Sequence, residues 1–332
     1  MEKRILITGG AGYIGSHTAL QLTEAGNDVV VLDNLYSGHE WAVPKQARFY
    51  EGNISDRTLV QKIIQDHAIC SVIHFAGYTV VPESMTNPVK YYNNNVLGSL
   101  NLIETCIHQG VRSFVFSSSA AVYGNPQRAP VNETMHPRPI NPYGTTKLIT
   151  EWALRDLAHA ASGTFSFVAL RYFNVAGAHR GGLLGQATPE ATHLIKVACQ
   201  AACGSRPSLT IYGDDYATSD GTCVRDYIHV EDLATAHLLA LTYLDHGGAN
   251  QILNCGYGQG FSVREVIDCV KEVSGVDFEV AIGPRRAGDP PELIADNTKI
   301  KQVLGWKPRY NDLSTICKSA FMWEKKGIES RC

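Results

Sequence analysis

The sequence predicts an α/β protein: a doubly wound parallel sheet of Rossmann type with a smaller, interleaved C-terminal substrate-binding lobe. Three observations carry that prediction. In the stretch 5–15, ILITGGAGYIG, an apolar run stops at a cluster of glycines and a helical pattern begins at Tyr13. At 28–33, DVVVLD reads as a buried strand ending in a carboxylate eighteen positions after Gly15. Through the first half, strand-like and helix-like segments then alternate regularly, the pattern of a parallel sheet with helices on both faces.

The glycines overlap in two registers, Gly10, Gly12, Gly15 and Gly9, Gly12, Gly15. In either one, missing Cβ atoms let the backbone turn sharply and approach a pyrophosphate, whose charge rests on free N–H groups at the helix start. An ordinary tight loop carries the same spacing, so Asp33 decides more: an acid about 20 residues on is placed to bond ribose hydroxyls. No arginine follows Asp33 immediately, and a 2′-phosphate would be repelled there. The predicted cofactor is therefore NAD rather than NADP.

After the polar loop 34–45 come a short strand at 47–51, a helix at 58–66 and a strand at 70–75. Residues 87–109 read as one long helix started by Pro88, since proline suits the first helical turn. A strand at 111–118 ends in hydroxyls, and a helix at 142–161 comes next with Asn141 as its cap. Strand 165–171 completes the regular half. Beyond Asn174 the glycine-rich loops 177–185 and 213–221 and the proline-rich turn 284–291 mark a less regular lobe. It contains a helix at 230–245 and a strand at 251–255 suited to rejoining the sheet. The expected organisation is an NAD-binding domain over 1–174 with returning segments near 225–260, and a mainly substrate-binding lobe over 175–332. The ligand is expected in the cleft between them.

Two helices carry more apolar residues than one buried stripe requires. Val89, Tyr92, Val96, Leu100, Ile103 and Ile107 align on the first, with Leu97 and Leu102 elsewhere; Leu148, Trp152, Leu154 and Leu157 lie on the second. A helix-mediated homodimer explains them, and burial of both faces within one subunit explains them equally well.

Composition narrows the partners. A net charge of −3 without a basic block argues against nucleic acid, and the absence of an eighteen-residue apolar run argues against a membrane span. The first strand begins within a few residues of Met1, leaving no room for a signal peptide. Nine cysteines, scattered and odd in number, read as reduced thiols of a cytoplasmic protein. Cys199 and Cys203 lie one helical turn apart, but no second pair completes a metal site, so no metal is expected.

Tyr143 and Lys147, within NPYGTTK, fall on one face of the predicted helix. A phenol titrating near 10 is a poor base at neutral pH; a neighbouring ammonium and an oxidised nicotinamide would favour phenolate. The tyrosine is then able to take a proton from a sugar hydroxyl. Ser117, Ser118 and Ser119 end the preceding strand at its carboxyl end, where ligands of such sheets bind. One serine can bridge substrate oxygen and phenol, while turn chemistry suffices for one or two of the three.

TGGAGYIGSH, Asp33, SSSAAVYG and PYGTTK together resemble the extended short-chain dehydrogenase/reductase family, and LRYFNVAGAH, GTCVRDYIHVEDLA and PRRAGDP resemble its sugar-nucleotide 4-epimerases. The resemblance runs from Ile5 to near Trp323. It implies Tyr143 as base, Lys147 as the group that holds the nicotinamide ribose and tunes the phenol, and Ser119 as the group positioning the 4-oxygen. It places Gly9, Gly12, Tyr13, Ile14, Gly15, Asp33, Asn34, Asn53, Ile54, Phe75, Ala76, Gly77, Asn94 and Phe173, with Ser119, Tyr143 and Lys147, against NAD. Asn174, His193, Arg225, Arg286, Asp289 and Leu293, again with Ser119 and Tyr143, fall on the sugar-nucleotide positions. Independently of kinship, a diphosphate calls for guanidinium forks in an acidic protein, which suits Arg225 and Arg286.

Four positions depart from the family pattern. Asn53 replaces an aspartate near the adenine, so the contact there must come from an amide oxygen. Thr79 replaces a lysine beside the cofactor. His193 replaces an asparagine, as a ligand contact or a helix-start residue. Leu293 stands where tyrosine restricts and a small residue admits N-acetyl sugars.

The implied reaction interconverts UDP-glucose and UDP-galactose through a transient 4-keto sugar, with NAD reduced and reoxidised in place. UDP-pentose (arabinose or xylose) and UDP-N-acetylhexosamine 4-epimerases share the machinery. A dehydratase would need an acid and a base in place of Ser119 and Ala120, and a decarboxylating relative a glutamate at Ala120. A non-catalytic NAD-sensing protein has no need of the tyrosine and lysine.

Overall fold

In Arg4–Thr8 (β1), Ile5 and Ile7 point to one face of the strand and Leu6 to the other, and all three are fully buried. Such a strand must be covered on both sides. The computed structural model, which describes residues 4–189, 191–286 and 288–329, shows how. The other strands of the first half are Asp28–Asp33 (β2), Arg48–Glu51 (β3), Ser71–His74 (β4), Ser113–Ser119 (β5) and Ser166–Tyr172 (β6). In the second half come Asn174–Ala176 (β7), Leu209–Tyr212 (β8), Val224–His229 (β9), Gln251–Cys255 (β10), Gly260–Ser262 (β11), Val280–Gly283 (β12) and Glu292–Leu293 (β13).

Seven strands pair in parallel in the order β10-β6-β5-β4-β1-β2-β3. On one face, Ile5, Ile7, Val29, Val31, Val115 and Val168 pack against helices Tyr13–Glu24 and Val230–Asp245 through Ala19, Leu22, Leu233, Ala236 and Leu241. On the other, Leu6, Val30, Val72, Phe114 and Phe116 meet Val60 and Ile63 of Arg57–Asp66, Leu102 and Ile103 of Ser99–His108, and Leu154 of Pro142–Ala160. The period-2 alternation of these strands thus supplies two separate cores. Strand order reverses between β1 and β4, and the crevice outside their carboxyl ends is where such a sheet receives ligands.

The second lobe has its own core. Helices Leu194–Ala202, Val263–Ser274 and Leu313–Glu329 pack through Ile195, Val266, Ile267 and Ile316. β9 joins β11, β13 and β7 in a second sheet, and β8 pairs with β12. Thus, of the segment 225–260, Val230–Asp245 and β10 lie with the seven-stranded sheet while β9 does not.

The span 87–109 is not one regular helix. It comprises Pro88–Tyr91, a π-helical segment Tyr92–Gly98, and Ser99–His108. A π turn takes in an extra residue and rotates the helix beyond it. The face drawn through Val89 and Ile103 therefore does not hold: Val89 is 64% exposed, whereas Ile103 and Leu102 are fully buried.

The eight described cysteines are free thiols, and Cys332 lies outside the described residues. Among those residues no helix is long and apolar enough to cross a membrane, and no group of three His, Cys, Asp or Glu side chains is arranged to hold a metal.

Candidate active site

Between the seven-stranded sheet and the second lobe lies a cavity of about 560 Å³. It brings together Gly9, Gly12, Tyr13, Ile14 and Gly15 of the glycine loop, Asp33 and Asn34 after β2, Asn53 and Ile54 after β3, and Phe75, Ala76 and Gly77 after β4. Asn94, Ser119, Tyr143, Phe173, Asn174, His193, Arg225, Arg286, Asp289 and Leu293 line the same space, as does Thr79. Of the expected site residues, Lys147 alone does not line it; its buried Nζ donates to the Ser117 carbonyl at 2.9 Å.

Backbone geometry selects the register Gly9, Gly12, Gly15. Gly9 has φ of 73°, and a Cβ there would lie 2.5 Å from the Ala76 nitrogen; one on Gly15 would lie 2.2 Å from the Gly9 carbonyl oxygen. Gly10 instead makes room for the Val31 side chain. Gly12 caps helix Tyr13–Glu24 without a side-chain hydrogen bond, so no side chain competes for the first N–H groups. Asp33 is held rigidly: Oδ2 accepts from Ala11 N–H at 2.9 Å and Oδ1 from Leu35 N–H at 2.8 Å. Burial pushes its pKa up, and these bonds oppose the shift. A loop wound too tightly for a Cβ at Gly9 or Gly15, an uncapped helix start and an oriented carboxylate fit the pyrophosphate and ribose of a dinucleotide.

Asn53 does not offer what its place suggests. Its Oδ1 already accepts from Ser55 N–H at 2.9 Å and from Ser55 Oγ at 2.8 Å. With both lone pairs of that oxygen engaged, the group left to face a ligand is the amide NH₂, a donor. The expected amide-oxygen contact is corrected accordingly.

The helix carrying Tyr143 starts hard against β5. Asn141 Oδ1 accepts from Gly144 N–H at 2.8 Å, and a Cβ on Gly144 would lie 2.5 Å from the Ala121 carbonyl oxygen. That approach sets Tyr143 on the same wall of the cavity as Ser119, whose hydroxyl favours the phenolate. Turn chemistry falls to Ser119 itself, whose Oγ accepts from Ala121 N–H at 3.2 Å, while Ser117 Oγ donates to the Tyr172 hydroxyl at 2.8 Å and Ser118 Oγ to Glu151 at 2.5 Å.

The electrostatics of the pair differ from the expected simple lowering of the phenol by Lys147. Burial pushes the Tyr143 phenol above its ordinary value, opposed by the Ser119 hydroxyl. Lys147 Nζ lies 5.8 Å from the centre of the Tyr143 ring, and burial pushes its own pKa down to about 8, with Glu151 opposing. At that distance, with one of its three protons engaged by the Ser117 carbonyl, the ammonium alone does not overcome desolvation of a phenolate.

Across the cavity, Asp289 gathers both guanidinium groups. Arg286 Nε is 3.1 Å from its Oδ2, and an Arg225 terminal nitrogen is 3.7 Å from its Oδ1. Arg225 also donates to the Val224 carbonyl at 2.9 Å, which fixes its aim. His193 precedes helix Leu194–Ala202 without a side-chain cap; its Nδ1 is 2.9 Å from Gln186 Nε2. An amide NH₂ only donates, so the imidazole proton is left on Nε2. Residues that the motifs did not reveal also line the cavity, among them Tyr36, Tyr78, Gln186 and Tyr212. Arg286 lies 4.8 Å over the Tyr212 ring. These residues come from loops and strand ends, and an aromatic beside Asp33 was the one local signal available.

Comparison with known proteins agrees with this architecture. The NAD dependent epimerase/dehydratase family matches residues 5–256. A UDP-glucose 4-epimerase of Azospirillum brasilense is 52% identical over 322 residues, 97% of this chain and 92% of that protein. The UDP-Glc/GlcNAc 4-epimerase of Campylobacter jejuni is 51% identical, with a TM-score of 0.85 over 98% of this chain and 99% of that one. The UDP-glucose 4-epimerase of Brucella ovis, solved in complex with NAD, is 46% identical, with a TM-score of 0.94 over 97% and 98% of the two chains. The protein belongs to the NAD dependent epimerase/dehydratase family.

Proposed function

We propose that the protein interconverts UDP-glucose and UDP-galactose by NAD-dependent oxidation and reduction at sugar C4. The observation that carries this reading is the single cavity in which the glycine loop, the Ser119–Tyr143 pair and the Arg225–Arg286 pair all open to one another. The names of its relatives support the same substrates. When bound, an oxidised nicotinamide takes hydride from C4 and returns it to the opposite face of the ring.

The residues of the chain do the rest. Tyr143 Oη accepts the proton of the 4-hydroxyl and later returns it, while Ser119 holds the 4-oxygen against the phenol. Because burial opposes phenolate, Tyr143 becomes an effective base only when a second positive charge joins that of Lys147 beside it. Base strength is thereby tied to an occupied, oxidised cofactor site. Arg225 and Arg286 exchange part of their attachment to Asp289 for the diphosphate, so the sugar is anchored at a point remote from the reacting carbon. Anchoring by the nucleotide leaves the keto sugar free to present either face.

The decisive assay mixes purified protein with UDP-galactose and no added cofactor. UDP-glucose is expected, and with it a demonstration that NAD is carried by the protein. No product with UDP-galactose, even after NAD is supplied, together with turnover of a UDP-pentose, would replace this reading with the pentose one. UDP-N-acetylgalactosamine as a parallel substrate tests how much room Leu293, buried at the cavity wall, leaves at C2.

The same reading includes a homodimer. Val89 and Leu97 between residues 88 and 98, and Trp152 on Pro142–Ala160, leave large apolar side chains about half exposed or more on adjacent segments. Covering them with their counterparts on a second copy satisfies both surfaces at once. Sedimentation equilibrium is expected to return twice the chain mass; a monomer throughout the micromolar range would remove the dimer.

A further inference from the structure

The segment that leaves β2 borders the cavity through Asn34, Tyr36 and Ser37 and is fastened at both ends. It starts from backbone that is not at rest: Leu35 has φ of 56°, a left-handed conformation that branched side chains avoid. Asp33 Oδ1 and Asn34 Oδ1, accepting from Leu35 N–H at 2.8 Å and Tyr36 N–H at 3.1 Å, hold that bend. Next, the chain lies directly on the glycine loop. A Cβ on Gly38 would be 2.8 Å from the Ala11 carbonyl carbon, and His39 N–H donates to the Ala11 oxygen at 3.0 Å.

On the near side, the Tyr36 ring meets Tyr78 edge-on at 4.6 Å. Lys90 Nζ donates to the Tyr36 hydroxyl at 2.8 Å and lies 4.8 and 4.5 Å from the centres of the two rings. On the far side, His39 Nε2 donates to the Ala187 carbonyl at 3.1 Å. His39 then stacks on Trp41 at 5.3 Å, and Trp41 on Trp323 of the last helix at 6.0 Å. Gly185 makes room for the Trp323 ring, since a Cβ there would lie 2.3 Å from it. Trp41 is 56% exposed, too open to serve a core, and of its two ring partners Trp323 comes from the opposite lobe.

We infer that residues 36–41 form a strap closed by two aromatic clasps, Tyr36–Tyr78–Lys90 and His39–Trp41–Trp323, and that the far clasp sets how slowly the dinucleotide leaves the cavity. This rests on the NAD reading of the cavity. The strap springs from Asp33, the carboxylate assigned to the ribose, so an occupied ribose site and a closed strap share one strained bend. Releasing the dinucleotide requires the segment to lift, and lifting it requires the Trp41 stack to part.

The test is exchange of bound NAD for isotopically labelled NAD in wild type, Trp41→Ala and Trp41→Phe, alongside turnover of UDP-galactose at saturating NAD. Trp41→Ala is expected to speed exchange about five- to tenfold, the factor that an aromatic stack of ordinary strength commands. Trp41→Phe, which keeps a stacking ring, should restore slow exchange, and turnover at saturating NAD should stay at the wild-type level in both. Exchange at the wild-type rate in a Trp41→Ala protein that binds NAD overturns the strap alone. Wild-type protein that takes up no NAD at all removes the cofactor reading and the strap with it.

Discussion

Replacing Tyr143 by phenylalanine is expected to leave NAD bound and to lower turnover of UDP-galactose by a factor of about 10² to 10⁴, the usual contribution of a positioned acid–base group. The substitution removes one oxygen and nothing else. The ring is buried, so phenylalanine preserves its packing, and Ser119 keeps its bond from Ala121 N–H at 3.2 Å. Cofactor binding rests on the glycine loop and Asp33, which the change does not touch. Bound NAD and turnover are measured on the same preparation. Near-wild-type turnover would exclude Tyr143 as the base. Because the charge of an oxidised cofactor offsets the burial that opposes phenolate, wild-type turnover should rise with pH while the phenol of the loaded enzyme titrates, and the residual activity of Tyr143→Phe should lack that rise.

Glu151→Ala is expected to destabilise the fold by about 3 to 5 kcal/mol, because it leaves a buried guanidinium without its counter-charge. Arg171 Nε and a terminal nitrogen donate to the two Glu151 oxygens at 2.9 and 2.5 Å, and both side chains are all but inaccessible. The pair also closes a network: Ser118 donates to Glu151, Arg171 donates to the Tyr123 hydroxyl at 3.0 Å, and that hydroxyl donates to Asn254 Oδ1 at 2.7 Å. One ion pair thereby joins β5, β6, β10 and the helix that carries Lys147 and Tyr143. Urea unfolding measures the loss. The double variant Glu151→Met with Arg171→Met should recover part of it, since apolar groups of similar volume replace a buried pair at low cost. A single variant within about 1 kcal/mol of wild type would show the pair to be energetically idle, as exposed pairs often are.

Lys147 gives this pair a functional side. Glu151 lies one helical turn beyond it and opposes the fall of its pKa toward 8. Loss of the carboxylate should therefore leave a larger share of Lys147 neutral at neutral pH, and weaken the charge on which the Tyr143 phenol depends.

What the sequence determined by itself was everything written within a few residues. Continuous apolar runs named the strands, Asn141 announced the helix start, and the glycine cluster with Asp33 marked the cofactor cradle, because backbone sterics and helix-end hydrogen bonding act locally. Long specific motifs then marked Arg225, Arg286 and Asp289. The tertiary structure alone decided what those groups are free to do. It showed Ser55 occupying the Asn53 oxygen, a π segment turning Leu102 inward, and burial setting the Tyr143 phenol against Lys147. It also brought Trp41 to Trp323 across 282 positions and Glu151 to Arg171 across twenty. Desolvation and side-chain pairing depend on neighbours that arrive from distant parts of the chain, and no local pattern encodes who they will be.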